Sequence, residues 1–185
     1  MSHVLVLGGA RSGKTGFAEG LAMRSGRRPA YLATAEALDG EMRERVRTHQ
    51  EHRQGRFATI EEPIEVTAAI VAAAREHDVI LVDCLTLWIT NLLGAGEDVA
   101  EAVEELASTL LELRGAKVIL VSNEVGLGIV PDNPLARSFR DLAGTAHQRL
   151  AQICVDVYLV VAGLLLVLKG SAPEGAAAEP RVHKA

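Results

Sequence analysis

The sequence predicts an α/β fold with a mainly parallel sheet flanked by helices. Three observations carry that expectation. Apolar runs of four to six residues recur along the chain, as at 4–7, 79–82 and 118–121. Segments of helical periodicity alternate with them, which is the pattern of consecutive βα units. A glycine-rich turn, Gly8-Gly9-Ala10-Arg11-Ser12-Gly13-Lys14-Thr15, joins the first apolar run to the first helical segment.

The elements follow in order. Residues 3–7 read as a buried strand, and 15–23 as a helix ending around Ser25-Gly26. Residues 29–33 form a second strand, and Asp39 can cap a helix over 41–53. A short strand at 57–60 precedes an Ala/Val-rich helix at 63–77, with Pro63 in its first turn. A strand at 79–82, an amphipathic helix at 99–114 and a strand at 117–121 come next. Pro134 opens a long helix to about Ile153, and strands at 155–161 and 164–168 close the sheet. Both closing strands are expected to be buried and to be joined by a turn at Gly163. No internal repeat is visible.

The 185 residues suit one domain, placed at 1–169. The tail, 170–185, is rich in Ala, Pro, Glu and Gly without an apolar period, and is expected to be disordered. Aromatic residues make up only 3%, so the core must be built from Leu, Val, Ile and Ala. The net charge is −5, and no basic run is interleaved with aromatics, which argues against nucleic-acid binding. The basic stretch at 24–28 reads as a helix end and a solvated loop. Cys84 and Cys154 sit in apolar segments without C-x-x-C pairing, as buried thiols of a reducing cytoplasm do. A first strand running straight into a glycine loop is not a signal peptide. The apolar run at 155–168 is interrupted by Asp156 and Gly163 and falls short of the roughly 20 residues that span a bilayer, so no membrane insertion is expected.

The turn matches G-x-x-x-x-G-K-[ST] through Gly8, Gly13, Lys14 and Thr15. Its glycines let backbone N–H groups converge on one anion at a helix N-terminus. Lys14 would neutralise β- and γ-phosphate oxygens, and Thr15 would place its hydroxyl on Mg²⁺. Such a site needs a metal-side carboxylate at the end of a buried strand. Asp83, after Val79-Ile80-Leu81-Val82, supplies one; its plainer reading is a cap for the next segment.

A second constellation lies on the helix at 41–53. Met42, Val46, His49 and Arg53 share one face, and Arg45 and Arg53 flank His49 by one turn each. Neighbouring guanidiniums would keep the imidazole neutral and nucleophilic, and would bind phosphate. Spacing alone favours a boundary histidine on a basic, solvated helix. His52 lies near a different face and follows no special pattern.

Further motifs run along the chain: Tyr31-Leu32-Ala33-Thr34-Ala35, Glu41-Met42, Arg45-Val46-Arg47-Thr48-His49 and Val82-Asp83-Cys84-Leu85-Thr86-Leu87-Trp88. They continue with Thr90-Asn91-Leu92-Leu93, then Ser122-Asn123-Glu124-Val125-Gly126-Leu127-Gly128-Ile129-Val130-Pro131. Arg137, Phe139-Arg140-Asp141-Leu142-Ala143-Gly144 and Gln148-Arg149-Leu150 complete the set. Together with the glycine loop these resemble the bifunctional adenosylcobinamide kinase / adenosylcobinamide-phosphate guanylyltransferase family over about residues 3–169. Leu165 and Phe57 depart from it, standing where Pro and Trp are common.

The resemblance implies a RecA-type P-loop fold, a cytoplasmic homotrimer and two reactions. In the first, ATP or GTP phosphorylates the aminopropanol hydroxyl of adenosylcobinamide. In the second, GTP guanylylates a histidine with loss of pyrophosphate, and the GMP passes to adenosylcobinamide phosphate, giving adenosylcobinamide-GDP. It implies catalytic roles for His49 and Lys14. It also implies nucleotide contacts at Gly8, Gly9, Ala10, Arg11, Ser12, Gly13, Lys14, Thr15, Ala33, Thr34, Ala35, Gln50, Glu51, His52, Arg53, Glu61 and Asp83, with Thr15 and Asp83 toward Mg²⁺. The loop at 123–131 is expected at the carboxyl edge of the sheet, helping to bind the corrinoid or the phosphates, with Glu124 near the metal or the substrate hydroxyl. Two other readings stay open on residues alone: a small-metabolite kinase without nucleotidyl transfer, and a non-catalytic nucleotide-binding module.

Overall fold

The computed structural model describes residues 2–35 and 55–173. The helix expected at 41–53 with its cap Asp39, and the tail from 174 onward, lie outside the described residues.

Seven strands form one sheet: β1 (Val4–Gly8), β2 (Pro29–Ala33), β3 (Ala58–Glu61), β4 (Val79–Asp83), β5 (Lys117–Asn123), β6 (Asp156–Val161) and β7 (Leu164–Lys169). Their order is β3-β2-β4-β5-β1-β6-β7. All neighbours pair in parallel except β6 and β7, which form an antiparallel hairpin. The helices are α1 (Lys14–Ser25), α2 (Val66–Ala73), α3 (Leu85–Ala95), α4 (Val99–Glu112) and α5 (Pro134–Ile153).

Alternation along the strands sorts the core into two layers. Val4 and Val6 pack with Ala18, Leu21 and Ala22 of α1, whereas Leu5 and Leu7 face the opposite layer with α2, α3, α4 and α5. Both faces of the central strands are therefore covered, which is why β1 and β4 read as unbroken apolar runs.

The long helix α5 starts as expected, with Asn133 Oδ1 accepting from the N–H groups of Leu135 and Ala136 and Pro134 in the first turn. Three elements differ from expectation. Helix α3 was not foreseen: Leu85-Thr86-Leu87-Trp88-Ile89 is apolar almost all round, so it carries no amphipathic period. It ends where Gly96, at φ 78°, donates its N–H to Leu93. Helix α2 is shorter than 63–77, because Glu62 Oε1 accepts from the N–H groups of Ile64 and Glu65 and holds Pro63 in the turn before the helix. Strand β7 is not buried. It is the outermost strand of the sheet, with Leu165 and Val167 packed inward and Leu164, Leu166 and Leu168 more than half exposed. Cys84 and Cys154 are buried free thiols, and burial pushes the Cys154 thiol up to about 12.

His3 is buried just before β1. Its Nδ1 accepts from the Val118 N–H at 3.0 Å, so its Nε2 carries the proton and donates to the Leu110 carbonyl at 2.9 Å. Protonating Nδ1 would destroy the first bond, and burial already holds this imidazole below the ordinary histidine value of 6.5. Below about 6.5 the unfolded chain therefore binds the proton that the folded chain refuses, and stability falls as pH falls. Urea unfolding between pH 7.5 and 5.5 should show the midpoint dropping with acidity. The slope should be shallower in His3→Gln, whose side chain does not titrate.

Candidate nucleotide site

Strand β1 ends at Gly8 and α1 begins at Lys14, so the loop between them crosses the carboxyl edge of the sheet. Gly8 has no room for a side chain: a Cβ there would lie 2.5 Å from Ser12 Oγ and 2.6 Å from the Val160 carbonyl oxygen. Gly13 sits at φ 94°, a left-handed conformation that glycine adopts without strain, and Arg11 lies at φ 54°. Helix α1 has no side-chain cap and no acidic residue in its first turn. Its first N–H groups and the positive end of its dipole are thus open to an anion.

Lys14 is almost fully buried, and its ammonium donates to the Gly9 carbonyl at 3.1 Å across the mouth of the loop. Among the described residues the Ser12 hydroxyl is buried without a hydrogen-bond partner. An anion seated in the loop would give both groups an acceptor, so the residues present fit a polyphosphate. Gly9, Ala10 and Arg11 form the exposed crest of the loop.

Thr15 and Asp83, the two residues expected toward Mg²⁺, are brought together. Thr15 donates its hydroxyl to Asp83 Oδ2 at 3.0 Å. Tyr31 donates to the same oxygen at 2.7 Å. Among the described residues no group of three or more His, Cys, Asp or Glu side chains could hold a metal ion. Thr15 and Asp83 offer two oxygen donors, and Mg²⁺ at phosphate sites commonly takes one or two protein ligands and fills the rest with phosphates and water.

The neighbouring strand ends complete the edge. Ala33 is in register with Asp83 on one side and with Glu61, exposed at the end of β3, on the other. Thr34 is fully buried. Its hydroxyl donates to the Cys84 carbonyl at 2.8 Å and accepts the Cys84 N–H at 2.9 Å, tying β2 to the turn after Asp83. Ala35 is half-buried beyond it. Asn91 on α3 donates to the Thr34 and Pro63 carbonyls, and Asn123 donates to Thr86 Oγ1 at 2.9 Å. His49, Gln50, Glu51, His52 and Arg53 lie outside the described residues.

Several supports of the site went unread in the sequence. The Tyr31 hydroxyl is one, although a tyrosine in a strand two residues from the edge is a visible signal. Another is the β6–β7 turn, where Gly163 at φ 79° donates its N–H to the Ser12 carbonyl at 2.8 Å and so braces the loop from the far side. A third lies under β5. Ser122 and His147 are buried, with His147 Nε2 2.7 Å from Ser122 Oγ and His147 Nδ1 3.8 Å from Glu124 Oε2.

The sheet order places one strand, β5, between the loop strand β1 and the Asp83 strand β4. The family model described as cobinamide kinase / cobinamide phosphate guanyltransferase matches residues 4–168. The chain belongs to this family. It is 46% identical over 169 residues to the bifunctional adenosylcobalamin biosynthesis protein CobP of Pseudomonas aeruginosa, covering 90% of this chain and 96% of that one. It is 41% identical over 180 residues to the bifunctional adenosylcobalamin biosynthesis protein CobU of Salmonella typhimurium, covering 90% and 99%. Among solved structures, a KaiC-like protein of Pyrococcus horikoshii aligns with a TM-score of 0.54 at 16% identity, over 94% of this chain and 81% of that one. The RadB recombinase aligns with a TM-score of 0.50 at 15% identity, over 94% and 84%. These likenesses show a RecA-like P-loop fold for the family member described here.

Two adjacent glycines separate shape from composition. A Cβ at Gly9 meets nothing within 4 Å, unlike one at Gly8. Gly8→Ala should weaken GTP binding at least about tenfold by calorimetry, because loop and hairpin must part to admit the methyl. Gly9→Ala should stay within a few-fold of the unsubstituted protein.

Proposed function

We propose that this chain carries out both reactions named for its family: phosphorylation of adenosylcobinamide, and transfer of GMP from GTP to the resulting adenosylcobinamide phosphate. The observation that carries the reading is the convergence of Lys14, Thr15 and Asp83 at the mouth of a loop built for phosphate. Membership of a family whose relatives are named as bifunctional supports the pairing of two activities.

In the kinase step the loop N–H groups and Lys14 hold the β- and γ-phosphates of ATP or GTP, and Ala33, Thr34 and Ala35 at the end of β2 belong to the nucleotide contacts. Thr15 and Asp83 would hold Mg²⁺, which would offset phosphate charge. Catalysis at such a site is mainly positioning and electrostatics.

In the guanylyl step His49 attacks the α-phosphorus of GTP. A P–N bond forms, pyrophosphate leaves, and GMP then passes to the corrinoid phosphate. Arg45 and Arg53, four residues to either side in the sequence, suit a histidine that must stay neutral beside phosphates. Gln50, Glu51, His52 and Glu61 belong to the nucleotide contacts in this reading. The loop after Asn123, which starts with the Glu124 N–H bonded to the Gly8 carbonyl, presents Leu127, Ile129 and Val130 to solvent, an apolar surface suited to the face of a corrin ring.

GTP labelled in the α-phosphate, incubated with Mg²⁺ and protein, should leave an acid-labile, base-stable label that His49→Ala abolishes. Transfer of γ-phosphate without any such label would reduce the protein to a kinase. A homotrimer is part of the same reading, supported by the exposed leucines of β7, and sedimentation should give about three times the 19.7 kDa chain mass.

A further inference from the structure

Ser122, His147 and Glu124 form a chain of polar groups from the core to the phosphate edge. Ser122 is completely buried, and His147 is nearly so on the inward face of α5 among Ala143, Ala146 and Leu150. Glu124 follows the last residue of β5, and its N–H donates to the Gly8 carbonyl at 3.0 Å, so its backbone is fastened to the first glycine of the phosphate loop. Its carboxylate is held by one hydrogen bond and approached by the imidazole. Oε1 accepts the Gly126 N–H at 2.6 Å, and Oε2 faces His147 Nδ1 at 3.8 Å. The side chain remains 23% exposed, open to a substrate.

The Glu124 charge favours one tautomer. A carboxylate only accepts, so the imidazole proton belongs on Nδ1, toward Glu124. Nε2 is then an acceptor, and Ser122 donates to it at 2.7 Å. Burial lowers the affinity of His147 for a second proton, with the Glu124 charge opposing that more weakly. Neither the nucleotide contacts nor the guanylyl step uses this triad.

We propose that Glu124 is the general base of the kinase step and that His147, oriented by Ser122, is the positioning residue that aims it. The inference rests on the kinase half of the function proposed above. The substrate hydroxyl oxygen attacks the γ-phosphorus, forming a new O–P bond. The bond from that phosphorus to the β–γ bridging oxygen breaks, and the nucleoside diphosphate leaves with the electron pair. The hydroxyl proton passes to a Glu124 carboxylate oxygen and from there to solvent. The Gly126 N–H holds the carboxylate by a hydrogen bond, and the His147 ring at 3.8 Å favours that orientation electrostatically.

The test is steady-state phosphorylation of adenosylcobinamide by the full chain, with nucleotide affinity from calorimetry and melting temperature measured alongside. Glu124→Gln should lose about 100-fold or more in kcat with nucleotide affinity unchanged. His147→Leu, which keeps the volume but donates nothing, should lose about tenfold in kcat with little change in nucleotide KM. His147→Asn places an amide N–H where Nδ1–H stood and should restore most of that loss. A Glu124→Gln enzyme within threefold of the unsubstituted protein overturns the base assignment. Loss of kcat in His147→Asn equal to that in His147→Leu, tracking a lower melting temperature in both, reduces His147 to a core residue. An unsubstituted protein that phosphorylates no adenosylcobinamide overturns the functional reading itself, and the role of Glu124 falls with it.

Discussion

Asp83 Oδ2 accepts both the Thr15 hydroxyl and the Tyr31 hydroxyl, and much of the sheet is arranged around that shared oxygen. Thr15 follows β1 and Asp83 ends β4, yet these strands are not neighbours, because β5 lies between them. Two strand spacings of about 4.8 Å separate their backbones. The hydroxyl and carboxylate can meet only if α1 leans across the end of β5. Register allows this: Asp83 lies beside Val121, so β5 continues two residues further, to Asn123 beside Gly8. The strand between the two halves of the site therefore carries its own polar side chains, Asn123 and then Glu124, up to the same edge.

Holding the phosphate loop open is a separate constraint, and the closing hairpin meets it. The loop's own hydrogen bond, from the Ser12 N–H to the Gly9 carbonyl, is long at 3.3 Å, whereas Gly163 binds the Ser12 carbonyl at 2.8 Å. Gly13 lies against the same turn, with its Cβ position 3.5 Å from Gly163 Cα, and Gly8 lies against Val160. Three glycines thus mark one contact between the first and last units of the chain. This explains why an exposed edge hairpin accompanies a buried parallel sheet: the turn must reach the loop, and only the inward side of β7 needs burial.

The strand pattern and the loop were legible because both are local. A buried parallel strand is apolar on both faces, and the glycine spacing of the loop is imposed by its own backbone. Asp83 was legible for the same reason, as the first polar residue after a four-residue apolar run. Helix α3 was not, since its sequence is apolar nearly all round, although it buries one face, that of Leu85, Trp88, Ile89 and Leu92. The exposure of β7 was hidden because Leu165 and Val167 alternate with leucines rather than polar residues, so its outer face looks like its inner one. Gly163 was read as a turn, but its second task, binding Ser12 across about 150 residues of sequence, has no local signature.

His147 shows how far apart a residue's pattern and its chemistry can lie. By spacing it is one more inward position on an amphipathic helix, between Ala143 and Leu150. A polar ring there costs roughly 1–3 kcal/mol if left without partners. The Ser122 hydroxyl removes that cost on one side at 2.7 Å. Two buried apolar side chains of matching shape would remove it equally well, so stability alone does not require this pair. What an apolar pair could not supply is the second ring nitrogen, turned toward the one carboxylate that β5 delivers to the phosphate edge. The same ring also locks the rotation of α5 against β5. The loop between them is held at its far end by Arg137, whose guanidinium donates to the Pro131 and Asp132 carbonyls. Strand, loop and helix are thus tied at both ends of the loop. The carboxylate follows directly on a buried strand, while Leu127, Ile129 and Val130 of the intervening loop stay exposed.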